Sequence, residues 1–411
     1  MSTPSERFGD PARDAAQLLV RLAFVILFVG APLAGVFSRR LLFILMPIGA
    51  ALVLVAAALD LPGGALGRLR NLALNPVASA LLALLFWTGL SLLWTPFLGP
   101  ASERYVKTLG TIVLATAAAG FLPERTKTSN LYLVPIGVLM SAVAAGVLMA
   151  LAPDQVRTGG DVEGSVLDRV ALSLVLLLWP TLGAVSARER WIYGGAVAVA
   201  VSVLAIAVWM PGAMLGLGVG ALAAVTAATE PRKAGMVWGG VFAAMVILAP
   251  GLIEGLHIAH IDRMLGQGAV GSQLSVWSDL LHRDGLRLLT GHGFDTLGRS
   301  LAAGYLPIAT PRSVLFEIWY ELGVLGALAL GLMVWRIFAE ASSHPSSIAS
   351  FHIGGLVCVM VIALTGESTF QLWWITMVSM AGVAFAGVAA AQYRSNRPGV
   401  VIEGRRPTAA V

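Results

Sequence analysis

Apolar runs punctuated by short charged or Pro/Gly breaks recur along the whole chain. Candidate spans lie near 18–37, 41–60, 72–93, 105–122, 131–152, 170–187, 191–209, 212–229, 234–253, 313–335, 350–366 and 370–391. Each run approaches the roughly 20 residues that a helix needs to cross about 30 Å of hydrocarbon. The pattern predicts an all-α polytopic membrane protein with about twelve transmembrane helices. The first run follows Arg7, Arg13 and Arg21 as a signal peptide would, but the eleven runs after it favour a retained first helix.

One stretch breaks the rhythm. Residues 254–312 form the only long hydrophilic segment between spans, and within it Leu274, Trp277 and Leu281 recur at helical spacing while Gln273, Asp279 and His282 point elsewhere. This predicts a long loop containing short helices, one of them lying on the membrane surface. The chain then divides into a nine-helix region over 1–253, the loop over 254–312, and a three-helix region with a tail over 313–411.

Composition narrows the class. Of 411 residues, 57% are hydrophobic and 12% charged, with mean hydropathy +0.84. Soluble domains carry about 25% charged residues, so half that fraction cannot cover a water-facing surface, and a soluble enzyme is excluded. The net charge of +5 reads as basic loops beside a membrane rather than a nucleic-acid surface. With the N-terminus inside, 15 Lys and Arg fall on the inner side and 11 on the outer, or 6 without the five arginines of the long loop. Because long loops cross regardless of charge, this predicts cytoplasmic termini and a periplasmic 254–312 loop in a bacterial inner membrane. The single Cys358 excludes a disulfide framework and any multi-thiolate metal site.

The absence of GxxxxGK[ST] removes a nucleotide-binding loop as the power source, and the absence of HExxH and GxSxG argues against common hydrolases. Gly212, Gly216 and Gly220 form a double GxxxG, read as close helix packing rather than phosphate binding.

The candidate chemistry gathers at outer boundaries. Arg169 follows Asp168 at the mouth of the sixth span; it reads as an anion ligand or as an interfacial arginine paired with its neighbour. Arg312 opens the tenth span, where Glu317 and Glu321 share one helical face about a turn inside the boundary. Two carboxylates at membrane depth line a cavity or pair with cations, for which Arg312, Arg169 and Arg263 are candidates. Glu367 and Gln371 flank the last turn, and Trp373 and Trp374 fit an outer aromatic belt. His292 sits between two glycines that let the backbone turn and hold an imidazole toward a ligand, or is a simple loop histidine.

Several of these segments together resemble the O-antigen ligase and polysaccharide polymerase family. They are Leu93-Trp94-Thr95-Pro96 with Arg104, Asp168-Arg169 with Trp179-Pro180, Trp277 through Gly293-Phe294-Asp295, and Phe316 through Glu321-Leu322-Gly323 to Gly326. Their order and spacing carry the likeness over most of the chain. The resemblance implies transfer of glycan from an undecaprenyl-diphosphate carrier to a glycan or lipid-linked acceptor, with no nucleotide, metal or cofactor at the site. It implies that arginines among Arg169, Arg312, Arg263, Arg283 and Arg104 neutralise the diphosphate, and that a base among His292, Glu317, Glu321 and Asp295 activates the acceptor hydroxyl. The chain departs from the family at two places: Arg312 stands where members usually have His, and Gln273 where they have Arg, so Arg263 or Arg283 would replace the missing charge. A sugar-lipid transporter or flippase, and a catalytically silent member working with polysaccharide export proteins, remain as alternatives.

Overall fold

A computed structural model describes residues 11–60, 65–122, 128–151, 166–186, 190–260, 269–283, 285, 287–366 and 372–392. Helix is the only regular structure among them. In chain order, α1 (Pro11–Val25) leads through a π-helical turn (Ile26–Gly30) into α2 (Ala31–Phe37), followed by α3 (Arg39–Asp60), α4 (Ala65–Leu74), α5 (Pro76–Ser91) and α6 (Leu98–Gly120). A 3₁₀ turn (Thr128–Tyr132) precedes α7 (Leu133–Leu151), and α8 (Val166–Ser186), α9 (Trp191–Ala207), α10 (Pro211–Thr229) and α11 (Pro231–Ile258) follow. The long-loop region contributes α12 (Ala269–Arg283), α13 (Arg287–Thr290) and α14 (Thr296–Ala302), before α15 (Val314–Ser343), α16 (Ser346–Thr365) and α17 (Leu372–Gln392) close the bundle.

Nine helices among the described residues are long and apolar enough to cross a membrane, or ten if a bent pair counts as one span, which makes this a multi-pass membrane protein. About twelve spans are expected from the apolar runs. A helix occupies every one of those runs, but three fall short as spans. α6 carries Glu103, Arg104 and Lys107 near its start. α9 has only 17 residues, about 25 Å of rise. The run over α4 and α5 bends by 75° at Asn75. There Pro76 opens α5 with a nitrogen that has no proton to leave unsatisfied, and Asn75 Oδ1 caps the helix by accepting from Val77 N at 2.8 Å.

Two apolar cores hold the bundle. One surrounds α8, which is buried along nearly its whole length against α7, α9, α16 and α17. The other joins α11, α15 and α16 to the loop helices through Trp277, Leu297, Phe316 and Trp319. Between them α10 packs tightly on α16. A Cβ on Gly220 would lie 2.7 Å from the Gly354 carbonyl oxygen and 2.6 Å from the Trp179 ring, so the double GxxxG serves close helix approach, as its spacing predicts.

Two expectations change. Trp373 and Trp374 are not an interfacial belt: both are buried in the α8 core, edge to face at 6.3 Å, because α17 packs inward on α6 and α8. α12 has the amphipathic face its spacing predicts, with Gln273, Asp279 and His282 exposed, but its apolar side covers protein. Trp277 is buried edge to face on Phe316 at 5.2 Å, and Ser278 donates to Glu254 Oε2 at 3.0 Å.

Candidate functional site

The site forms at the end of the bundle where α5 ends and α6 and α15 begin. Its scaffold is a helix that the sequence interrupts. Within α15, Gly323 adopts φ 65° and ψ −159°, a conformation only glycine takes readily. Three carbonyls just before it find partners outside their own helix, as buried backbone oxygens must. Tyr320 O accepts from His292 N at 2.8 Å, Glu321 O from Gly293 N at 2.9 Å, and Leu322 O from the Trp87 indole N–H at 2.9 Å. The approach is close enough to demand a second glycine: a Cβ on Gly291, also at positive φ, would lie 2.1 Å from Glu321 O.

The Gly-His-Gly segment is thus stapled to α15, and α5 holds it from the other side. Ser91 Oγ accepts from Phe294 N at 3.1 Å, while Thr95 Oγ1 donates to Phe294 O at 3.1 Å. The chain then turns left-handed at Asp295, φ 63°, and enters α14. Glu321, 2% exposed, accepts from Asp295 N at 2.9 Å and from Leu297 N at 3.0 Å, one bond to each carboxylate oxygen. A side chain of α15 therefore satisfies amides at the start of α14 that no helical carbonyl reaches.

Asp295 is the centre of the charged cluster. Its two oxygens take different arginines: Oδ1 accepts from Arg104 Nη1, and Oδ2 from Arg299 Nε at 2.6 Å. The side chain of Asp295 is 4% exposed, against 18% for Arg104 and 37% for Arg299. Arg104 also lies over the Phe294 ring, 5.6 Å from its centroid. Glu317, one turn before Glu321, acts on Arg104 electrostatically together with Asp295 and Glu321. Two guanidiniums thus face three carboxylates. Glu317 is half-buried and makes no side-chain hydrogen bond among the described residues.

Beside this cluster lies a narrow crevice of about 30 Å³ lined by Trp277, Leu281, Arg287, His292, Phe316 and Tyr320. The His292 and Tyr320 rings stack at 4.2 Å, and Tyr320 stacks on Phe316 at 5.6 Å. His292 Nδ1 lies 3.0 Å from Tyr320 O, which accepts only, so Nδ1 carries the proton of this bond.

Of the residues singled out by sequence, the fold brings Arg104, Asp295, Glu317 and Glu321 together and sets His292 next to them. Arg169 and Arg312 do not join this ion-pair set. Neither bonds to Asp295 or Glu321, whose oxygens are filled by Arg104, Arg299 and backbone amides. Arg169 rides on α8, which packs on α7, α9, α16 and α17 rather than on α5 or α15. Arg312 is exposed before α15, and Arg283 is exposed at the end of α12. Arg263, Glu367 and Gln371 lie outside the described residues. Sequence reasoning counted Arg299 only as a loop cation, although its place four residues after Asp295 on a short helix was a readable signal. Ser91 and Trp87 carried no such signal, because their partners are more than 200 residues away in the chain.

No protein-family model matches this chain, and no curated protein matches it either.

Proposed function

We propose that this protein is a membrane glycosyltransferase that extends or ligates glycans carried on undecaprenyl diphosphate, at the periplasmic face of a bacterial inner membrane with both termini cytoplasmic. The observation that carries the reading is Asp295 held between Arg104 and Arg299 at the point where the Leu-Trp-Thr-Pro, Gly-His-Gly-Phe-Asp and Glu-Leu-Gly segments meet. Those are three of the four segments on which the family resemblance rests.

The parts have distinct work. Arg299 spends its Nε edge on Asp295 and keeps its two Nη groups, on a side chain 37% exposed, for phosphate oxygens. Arg104 and Asp295 hold that guanidinium in place, and Glu321 fixes Asp295 by capping the turn beneath it. Glu317 is the carboxylate with open oxygens, so it takes the proton of the acceptor hydroxyl. The acceptor oxygen then bonds to the anomeric carbon, the bond from that carbon to the diphosphate breaks, and its electron pair leaves with the diphosphate, whose charge Arg299 meets.

The interruption of α15 at Gly323 favours one second reading, because transporters also build substrate sites on broken helices. Purified protein supplied with lipid-linked oligosaccharide separates the two. Chain extension is expected in the wild type, with a loss of about 10²–10³-fold in Arg299→Ala and a similar loss in Glu317→Gln. Undiminished extension by Arg299→Ala removes the arginine mechanism, and movement of the lipid across vesicles without new linkage establishes transport.

A further inference from the structure

A second arginine site lies far from the charged cluster. From Arg104, α6 runs on to Gly120, about 24 Å, and Tyr132 ends the 3₁₀ turn that follows it. There Tyr132, Pro135, Ile136, Leu139, Val185 and Arg190 help to line a cleft of about 330 Å³ between α7 and α9. That volume falls within the roughly 300–1,000 Å³ of small-ligand sites. The walls are aliphatic, with Ile136 and Leu139 stepping along one helix face.

Arg190 stands at the mouth. Its guanidinium lies 5.9 Å from the centroid of Tyr132 and 5.8 Å from that of Tyr193, so rings from two different elements clamp it. The backbone is anchored too, Arg190 N donating to Val185 O at the end of α8. Among the described residues no carboxylate pairs with this exposed guanidinium and no side chain accepts its hydrogen bonds. Tyrosine rings orient a cation without neutralising it, so with no described carboxylate against it the donor fork is open to an anion. Trp191 and Tyr193, each 62% exposed, give this end the aromatic residues typical of a bilayer interface.

We propose that this cleft is a binding site for an anionic glycerophospholipid: the phosphodiester sits on Arg190 between the two tyrosines, and one acyl chain lies along Ile136, Leu139 and Val197. The charge at the mouth selects the headgroup, and the apolar length below it selects a lipid over a free anion. The bound lipid fastens α7 to α9 at the end remote from the charged cluster, and the inference stands whether or not that cluster transfers glycan.

Native mass spectrometry of the full-length detergent-solubilised protein tests this with phosphatidylglycerol, phosphatidylethanolamine and undecaprenyl phosphate. The wild type is expected to retain phosphatidylglycerol at least about tenfold more tightly than the zwitterionic lipid. Arg190→Gln should lose that preference, as should Ile136→Trp, which fills the cleft and leaves the charge. Arg232→Gln, at an exposed arginine outside the cleft, should keep it. Monodisperse elution of each variant reports folding, and Tyr193→Leu supplies a milder change should Arg190→Gln misfold. Equal retention of the two glycerophospholipids, an unchanged preference in both Arg190→Gln and Tyr193→Leu, or undecaprenyl phosphate binding that Arg190→Gln abolishes each overturns the proposal.

Discussion

Arg104 and Arg190 sit near opposite ends of the same bundle, and each lies over aromatic rings, yet the two are held in different ways. Arg104 shares Asp295 with Arg299 and faces Glu317 and Glu321. Arg190 has two tyrosine rings and no carboxylate among the described residues. Carboxylates fix a guanidinium by spending its charge, whereas rings fix it and leave the charge available. The first arrangement suits chemistry, since oriented groups of both signs can move a proton and meet a leaving group. The second suits retention of an anion that does not react.

Removing the carboxylate from the first end should make it resemble the second. Asp295→Asn leaves Arg104 and Arg299 without their shared counter-ion, and breaking such a buried pair costs about 3 kcal/mol or more. Chain extension should fall by about 10²-fold or more because Arg299 is no longer aimed, while the affinity for added inorganic pyrophosphate rises. Full activity would show that the ion pair is not part of the machinery.

The scaffold under that end gives the next largest effect. Gly323→Ala needs a residue at positive φ whose Cβ would lie 2.7 Å from Gly291 N. Gly323→Ala should lower the melting temperature by about 5 °C or more and uncouple the His292 segment from α15. A melting curve unchanged at position 323 would mean that the interruption of α15 does not store the geometry of the site.

The smallest change runs the comparison the other way. Ala196→Glu places a carboxylate in the wall of the Arg190 cleft. Phosphatidylglycerol retention should drop about tenfold with little loss of fold or of activity at the far end. Retention equal to wild type would mean that a free charge is not what this end uses.

Much of the architecture is legible in the sequence. Apolar runs of the right length give helices at every expected place, because in hydrocarbon the backbone must satisfy its own hydrogen bonds. The i, i+4 spacing of Glu317 and Glu321 and the glycines around His292 marked the right neighbourhood, since helical periodicity and backbone freedom are local properties. Trp373 and Trp374 misled for the converse reason: a tryptophan pair at a helix start looks the same at an interface and in a core, and only the packing of α17 on α6 and α8 chooses between them.

The amino-acid sequence by itself determined a helical membrane chain, the loop helices between the ninth and tenth runs, and the residue types from which a charged cluster can be built. That Arg104 reaches Asp295, that Glu321 caps α14 instead of standing open, and that Tyr132 lies against Arg190 were decided by tertiary structure alone. Each depends on side chains from separate elements meeting within about 3 Å for hydrogen bonds or 6 Å for ring contacts. Periodicity along one helix sets which face a residue occupies but carries no record of which face lies opposite.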